Sequence, residues 1–201
     1  MKKIISILIV VVLCLGLCIS ASAASQYTVV KGDSMWKIAV RYQIGLSEII
    51  SANPQVKNPD LIYPGDILTI PSINSGILDF ENEVINQINR IRKNYGLSEL
   101  KTNWQLSRVA RYKSQDMHDK KYFSHTSPTY GSPFDMIKAF NISYRAAAEN
   151  IAMGYTTPTA VVTGWMNSTG HRQNILNATY TEIGVGYVAD GHYWTQMFIT
   201  P

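Results

Sequence analysis

The sequence predicts an α+β protein in two unequal parts, a small β-α-α-β module and a larger domain of helices closed by a terminal hairpin. Three observations predict it. Short β-branched and aromatic runs at residues 27–30 and 67–70 bracket two short helical stretches. A polar Pro/Ser/Gly stretch, Pro71-Ser72-Ile73-Asn74-Ser75-Gly76, then reads as a linker. Beyond it the apolar spacing is helical at first and changes to period two near the C-terminus.

The chain opens with Lys2 and Lys3, an apolar run over residues 4–19, and the small residues Ser20-Ala21-Ser22-Ala23-Ala24. That order is the pattern of a secretory signal peptide, with the cut expected after Ala23. The apolar run is short of the ~20 residues that span a bilayer comfortably, so no membrane span is expected after cleavage. Both cysteines, Cys14 and Cys18, fall inside this segment. The expected mature chain therefore has no disulfide, no zinc-thiolate site and no cysteine nucleophile. Removing Lys2 and Lys3 lowers the 18 basic residues to 16 against 14 acidic ones, a net charge of +2. The densest basic run, Arg90-Ile91-Arg92-Lys93, reads as a solvated helix face, and no nucleic-acid partner is expected.

In the small module, Tyr27-Thr28-Val29-Val30 reads as a strand and Lys31-Gly32-Asp33-Ser34 as a turn, with Asp33 or Ser34 capping the next helix. Trp36, Ile38, Ala39 and Tyr42 recur at helical spacing, which places Trp36 in the core. Ser47 is a candidate cap for a second helix carrying Ile49 and Ile50, and Asn53-Pro54 stops it. Tyr63-Pro64-Gly65-Asp66 turns into the last strand, residues 67–70.

In the larger domain, Phe80, Val84, Ile88, Ile91 and Tyr95 form one stripe of a helix over residues 79–95, ended by Gly96. Thr102-Asn103-Trp104-Gln105 reads as a capping box for a second helix, whose stripe of Leu106, Ala110 and Met117 is interrupted by Lys113. Thr157-Pro158 opens a third, with Val161, Val162 and Trp165 on one side. Residues 182–188 and 192–199 read as strands of a hairpin around Asp190-Gly191. Chemistry has to come from scattered polar residues, with His125, Glu149 and His171 as candidates. There is no His-Glu-x-x-His helix and no G-x-S-x-G elbow.

The module's motifs, from Tyr27-Thr28-Val29-Val30-Lys31-Gly32-Asp33-Ser34-Met35-Trp36-Lys37-Ile38-Ala39 through Asn53-Pro54 to Tyr63-Pro64-Gly65-Asp66-Ile67-Leu68-Thr69-Ile70-Pro71, resemble a LysM domain over residues 26–71. The resemblance implies binding of an N-acetylglucosamine-containing glycan such as peptidoglycan, in a shallow groove. Its walls would be Gly32, Asp33, Ser34 and Met35 on one side and Asp60, Leu61 and Ile62 on the other. A single such module should bind weakly.

Phe123-Ser124-His125, Glu149-Asn150-Ile151, the run from Trp165 to Leu176 with Gly170-His171-Arg172, Ile183-Gly184-Val185-Gly186 and Tyr193-Trp194-Thr195-Gln196 resemble the CAP superfamily. This is the fold of cysteine-rich secretory and pathogenesis-related proteins, and the pattern is closest to its bacterial, YkwD-like branch. The resemblance covers residues 78–201, leaving 72–77 as linker and 1–23 as signal peptide. It implies an α-β-α sandwich with a central cleft, which in eukaryotic members holds two histidines and two glutamates and can bind a divalent metal. His125 matches the first histidine and Glu149 the first glutamate. The second glutamate is absent at Asn167-Ser168. The second histidine falls at Tyr193, and His192, one position off in a strand, faces the other way. His171 could supply that imidazole instead. The implied catalytic set is His125, Glu149 and His171, with His125 and His171 as ligands for Zn2+ or another divalent cation.

Together these readings describe an exported protein of the cell wall, envelope or spore coat. It binds peptidoglycan through one domain and presents a cleft for an unidentified ligand in the other. The alternative is a metal-assisted hydrolase of wall or peptide substrates using that cleft.

Overall fold

The structure, a computed structural model, describes residues 24–201, so the expected signal peptide lies outside the described residues. Among the described residues no helix is long and apolar enough to cross a membrane.

The small module pairs β1 (Ser25–Thr28) antiparallel to β2 (Ile67–Ile70), with α1 (Met35–Arg41) and α2 (Leu46–Ser51) between them. The first strand thus begins two residues before the expected one. Val29 still continues the pairing, donating to Asp66 O and accepting from Gly65 N, both at 2.9 Å. Ser34 caps α1 by accepting from Lys37 N. Ile38, Ile49 and Leu68 are fully buried in the module's core, each contributing about 1.5–3 kcal/mol of burial. Asn53, read as a helix stop, is also buried. Its amide donates to Ile49 O and Thr69 O and accepts from Thr69 N, which staples α2 to β2.

Two expectations for this module are corrected. Gly45, not Ser47, is the N-cap of α2. Ser47 faces the other domain, where it accepts from Arg108. Trp36 is not core but 52% exposed. Met35 takes the buried position beside it, because the core stripe of α1 runs through Met35, Ile38 and Ala39.

The larger domain is a sheet of order β3-β5-β6-β4 between two helical layers. Its elements are α3 (Ser75–Asn94), β3 (Lys101–Thr102), α4 (Trp104–Asp119), α5 (Pro133–Ala139), β4 (Ala146–Met153), α6 (Pro158–Asn167), α7 (Thr169–Ile175), β5 (Glu182–Val188) and β6 (Tyr193–Thr200). α3 starts earlier than expected, capped by Asn74. The cap of α4 is Asn103, which accepts from Leu106 N, and not Thr102. Thr157 and Pro158 open α6 as expected.

Alternation along the hairpin sorts the layers. Ile183, Val185, Tyr187, Trp194 and Phe198 face the layer of α3 and α6. Met197 and Ile199 face α4 and α5. Gly184 and Gly186 also face α4, whose backbone lies against them so closely that a methyl group would collide with Leu106–Ser107 and Ala110–Arg111 respectively. These two glycines set how near the helix sits to the sheet.

Arg92, expected on a solvated face, is buried. It donates to the carbonyls of Ser98, Ile175 and Asn177 and so ties α3 to the segments that follow α3 and α7. Arg108 of α4 joins the two parts of the chain. It bonds Glu48 through Nε and through Nη2 at 2.8 Å, and its guanidinium lies 4.9 Å from the Phe140 ring centroid.

Candidate functional site

The site forms on β4, one of the two edge strands of the sheet. An edge strand leaves room for side chains from both helical layers to reach around it. Glu149 lies in β4, opposite Met197 of β6. Its side chain is 2% exposed, and its Oε1 accepts a 2.7 Å hydrogen bond from His125 Nδ1. With Glu149 ionised, Nδ1 is the donor in that bond and Nε2 is the ring nitrogen left over, in a ring that is 53% exposed.

His125 sits in a loop with no helix or strand of its own, yet its backbone is held. Lys113, on the apolar stripe of α4, is 1% exposed. Its ammonium donates to His125 O at 2.8 Å, Ser124 O at 2.7 Å and Tyr122 Oη at 3.2 Å. One turn on, buried Asp116 accepts from Tyr122, Ser127 and Thr129. The interruption of the α4 stripe is thus a buried cation fixing the loop that carries the imidazole.

Burial pushes the Glu149 carboxyl above its ordinary value. The His125 hydrogen bond and the charges of Lys113 and His125 offset this only in part. Its Oε2 is buried with no partner among the described residues. Burial, with a smaller contribution from His125, holds the His171 imidazole below its ordinary value. Lys113 is lowered by burial, against which Glu149 and Asp116 pull.

His171 belongs to α7, a helix absent from the sequence reading. Asn150 Nδ2 donates to His171 O at 3.2 Å and to Gln196 Oε1 at 2.9 Å, and Asn174 donates to Asn150 Oδ1 at 2.8 Å. This chain of amides holds α7 against β4 and β6. His171 also lines a cavity of about 300 Å3 with Phe123, Met153, Tyr155 and Trp165. The structure thus brings His125 and Glu149 into contact. No hydrogen bond joins the His171 ring to either of them among the described residues.

The expected divalent cation is poorly served by these side chains. A catalytic zinc takes three protein ligands. Among the described residues no three His, Cys, Asp or Glu side chains come together as a metal-holding group, and Glu149 Oε1 is already committed to His125. His125 and His171 alone do not make such a site.

In the small module the two predicted glycan loops leave the same end of the β1–β2 ladder, where Val29 bonds Gly65 and Asp66. Gly32 has φ +94, a conformation only glycine adopts at little cost, and Leu61 is 52% exposed. Asp60 is exposed and Ile62 half-buried. Three of the predicted residues have structural duties. Met35 is buried, and Ser34 caps α1. Asp33 accepts from Tyr27 Oη, Val30 N and Arg41 Nη2, with its side chain 4% exposed.

Sequence reasoning missed Lys113, Asn150 and Gln196 as parts of the site. Only Lys113 left a signal, a charge on an otherwise apolar stripe. Asn150 and Gln196 sit in strands whose sidedness depends on the sheet.

Comparison with known proteins agrees with this architecture. The model of the cysteine-rich secretory protein family, CAP, matches residues 85–199 and that of the LysM domain matches residues 27–71. The uncharacterized protein YkwD of Bacillus subtilis (strain 168) is 56% identical over 131 residues, covering 65% of this chain and 51% of that protein. The spore coat assembly protein ExsA of Bacillus cereus is 44% identical over 46 residues, 23% of this chain and 7% of that protein. Among solved structures, an extracellular protein containing a SCP domain from Bacillus anthracis str. Ames superposes with a TM-score of 0.58 at 35% identity, over 69% of this chain and 47% of that one. The chain spans about half the length of YkwD and of the B. anthracis protein.

Proposed function

We propose, from the premise that this chain belongs to the cysteine-rich secretory protein (CAP) family and carries a LysM domain in front, that it is an exported envelope protein. The LysM domain holds N-acetylglucosamine glycan of the peptidoglycan, and the CAP domain offers the His125–Glu149 cleft to a ligand. The observation that carries the reading is that both loops leave the same end of the β1–β2 ladder, where Val29 bonds Gly65 and Asp66. Leu61 stands 52% exposed on one of these loops, an apolar side chain that suits the face of a sugar. The match to ExsA, named as a spore coat assembly protein, supports the spore envelope as the setting.

The test is retention of the mature chain on insoluble peptidoglycan. Sedimentation with the wall material is expected, with competition by soluble N-acetylglucosamine oligomers. Failure to sediment where another LysM protein does would overturn the reading.

A hydrolase is the second reading, favoured by the buried, unpartnered Oε2 of Glu149. An orphaned carboxylate oxygen beside an oriented imidazole is a common mark of a working site. Here His125 Nε2 would take a proton from water and Glu149 would stabilise the imidazolium that results. A divalent cation at His125 and His171 would need a further ligand from solvent or substrate, and metal content after tag-free purification tests it. Release of wall fragments or peptides that disappears in both His125→Ala and Glu149→Ala would establish this reading over simple binding.

A further inference from the structure

The junction between the two domains forms a groove of about 570 Å3 lined from both sides. Trp36 comes from the LysM domain, and Trp104, Gln105, Phe140 and Asn141 come from the CAP domain. We propose that this groove is a second glycan subsite, in which a neutral sugar of the same wall strand rests against Trp36 while Gln105 and Asn141 read its polar rim. The proposal rests on the reading of the LysM domain as a holder of N-acetylglucosamine glycan.

Four observations carry it. First, the groove has fixed walls. Arg108 is bonded to Glu48 and Ser47 across the junction and stacked 4.9 Å from Phe140 and 5.4 Å from Tyr112. Gly45 permits this approach, since a methyl group there would collide with Glu48 and the Arg108 guanidinium.

Second, Trp36 leaves half its surface in water although its helix has a well-filled core. An indole kept at the mouth of a groove is a large apolar face at little conformational cost.

Third, the side-chain amides of Gln105 and Asn141 have no hydrogen-bond partner among the described residues, so both are free to bond a ligand. Asn141 has φ +59, a left-handed conformation that asparagine tolerates at the end of α5.

Fourth, the lining holds one charged side chain, Arg108, and Glu48 neutralises it. A phosphate or an acidic peptide would find no uncommitted cation there. A purely apolar ligand would bury the two amides without partners, at a cost. A pyranose, with an apolar C–H face and a rim of hydroxyl and acetamido groups, meets both requirements.

The test uses the full mature chain and a β-1,4-linked N-acetylglucosamine hexamer, followed by titration of the Trp36 and Trp104 indole N–H resonances. Both should shift on saturation, and a double variant, Gln105→Ala with Asn141→Gly, should bind about five-fold more weakly with an unchanged melting temperature. Glycine at 141 keeps the left-handed backbone unstrained. Perturbations confined to residues 32–35 and 60–62, or an unchanged affinity in the double variant, would overturn the junction subsite while leaving the LysM reading intact. Absence of any binding by the full chain would overturn both.

Discussion

The ammonium of Lys113 donates a 2.8 Å hydrogen bond to the backbone carbonyl of His125, so a buried cation in a helix sets the position of an exposed imidazole. Replacing it with an apolar side chain of similar length leaves the Ser124 and His125 carbonyls without that donor. Lys113→Met should lower stability by about 1–3 kcal/mol. It should also speed amide exchange in residues 122–126 more than elsewhere. Urea unfolding and hydrogen exchange measure the two effects, and uniform exchange would show that Lys113 holds the whole domain instead.

Glu149 is costly to bury as a carboxylate, since burial is the largest influence on its pKa and raises it. Gln at this position retains an acceptor for His125 Nδ1 and removes the buried charge. Glu149→Gln should change stability at pH 7 by less than about 1 kcal/mol while abolishing whatever ligand binding or turnover the cleft supports. A large loss of stability would mark the carboxylate as mainly structural.

His118 bonds Asp119 through Nδ1 and Asp190 through Nε2, clasping the end of α4 to the β5–β6 turn. Those hydrogen bonds, Asp119 first, raise its pKa above the ordinary 6.5. The folded chain therefore binds this proton more tightly than the unfolded chain. The clasp's contribution is complete below about pH 6.5 and is lost as pH rises through the raised value. His171 is shifted the opposite way, so its contribution grows as pH approaches 6.5 and is level above that. The melting temperature should thus decline above pH 6.5, and His118→Gln should flatten that decline.

Gly186 lies where the backbone of Ala110 and Arg111 passes closest to the sheet. Neither a flexible side chain nor a rotamer change can relieve the collision. Gly186→Ala should destabilise the CAP domain by about 3 kcal/mol or more, with a matching fall in soluble yield. A near-normal melting temperature would mean that α4 can shift away from β5.

Arg108 and Glu48, 60 positions apart, form a partly buried pair across the domain junction. A double-mutant cycle with Arg108→Ala and Glu48→Gln should give a coupling of about 1 kcal/mol. Each single variant should also be cleaved faster by protease at residues 71–74. Additive effects with unchanged cleavage would show that the pair does not hold the domains together.

By itself the sequence determined the features that depend on near neighbours. The strands and helices of the LysM domain, the Thr157–Pro158 start of α6 and the C-terminal hairpin were legible because caps, turns and periodicity act over a few residues. The family motifs likewise marked His125, Glu149 and His171. Tertiary structure decided the rest. Strand β4 reads Ala-Ala-Ala-Glu-Asn-Ile-Ala-Met, with little β-branched character, and becomes a strand because β6 pairs with it along its whole length. Lys113 and Arg92 are buried because carbonyls distant in sequence satisfy them. Trp36 turns outward because Met35, Ile38 and Ala39 fill the module's core. His125 and Glu149 meet across 24 residues only once the loop and the edge strand are in place. Local propensity cannot encode such contacts, since each is made by groups that the folded chain alone brings together.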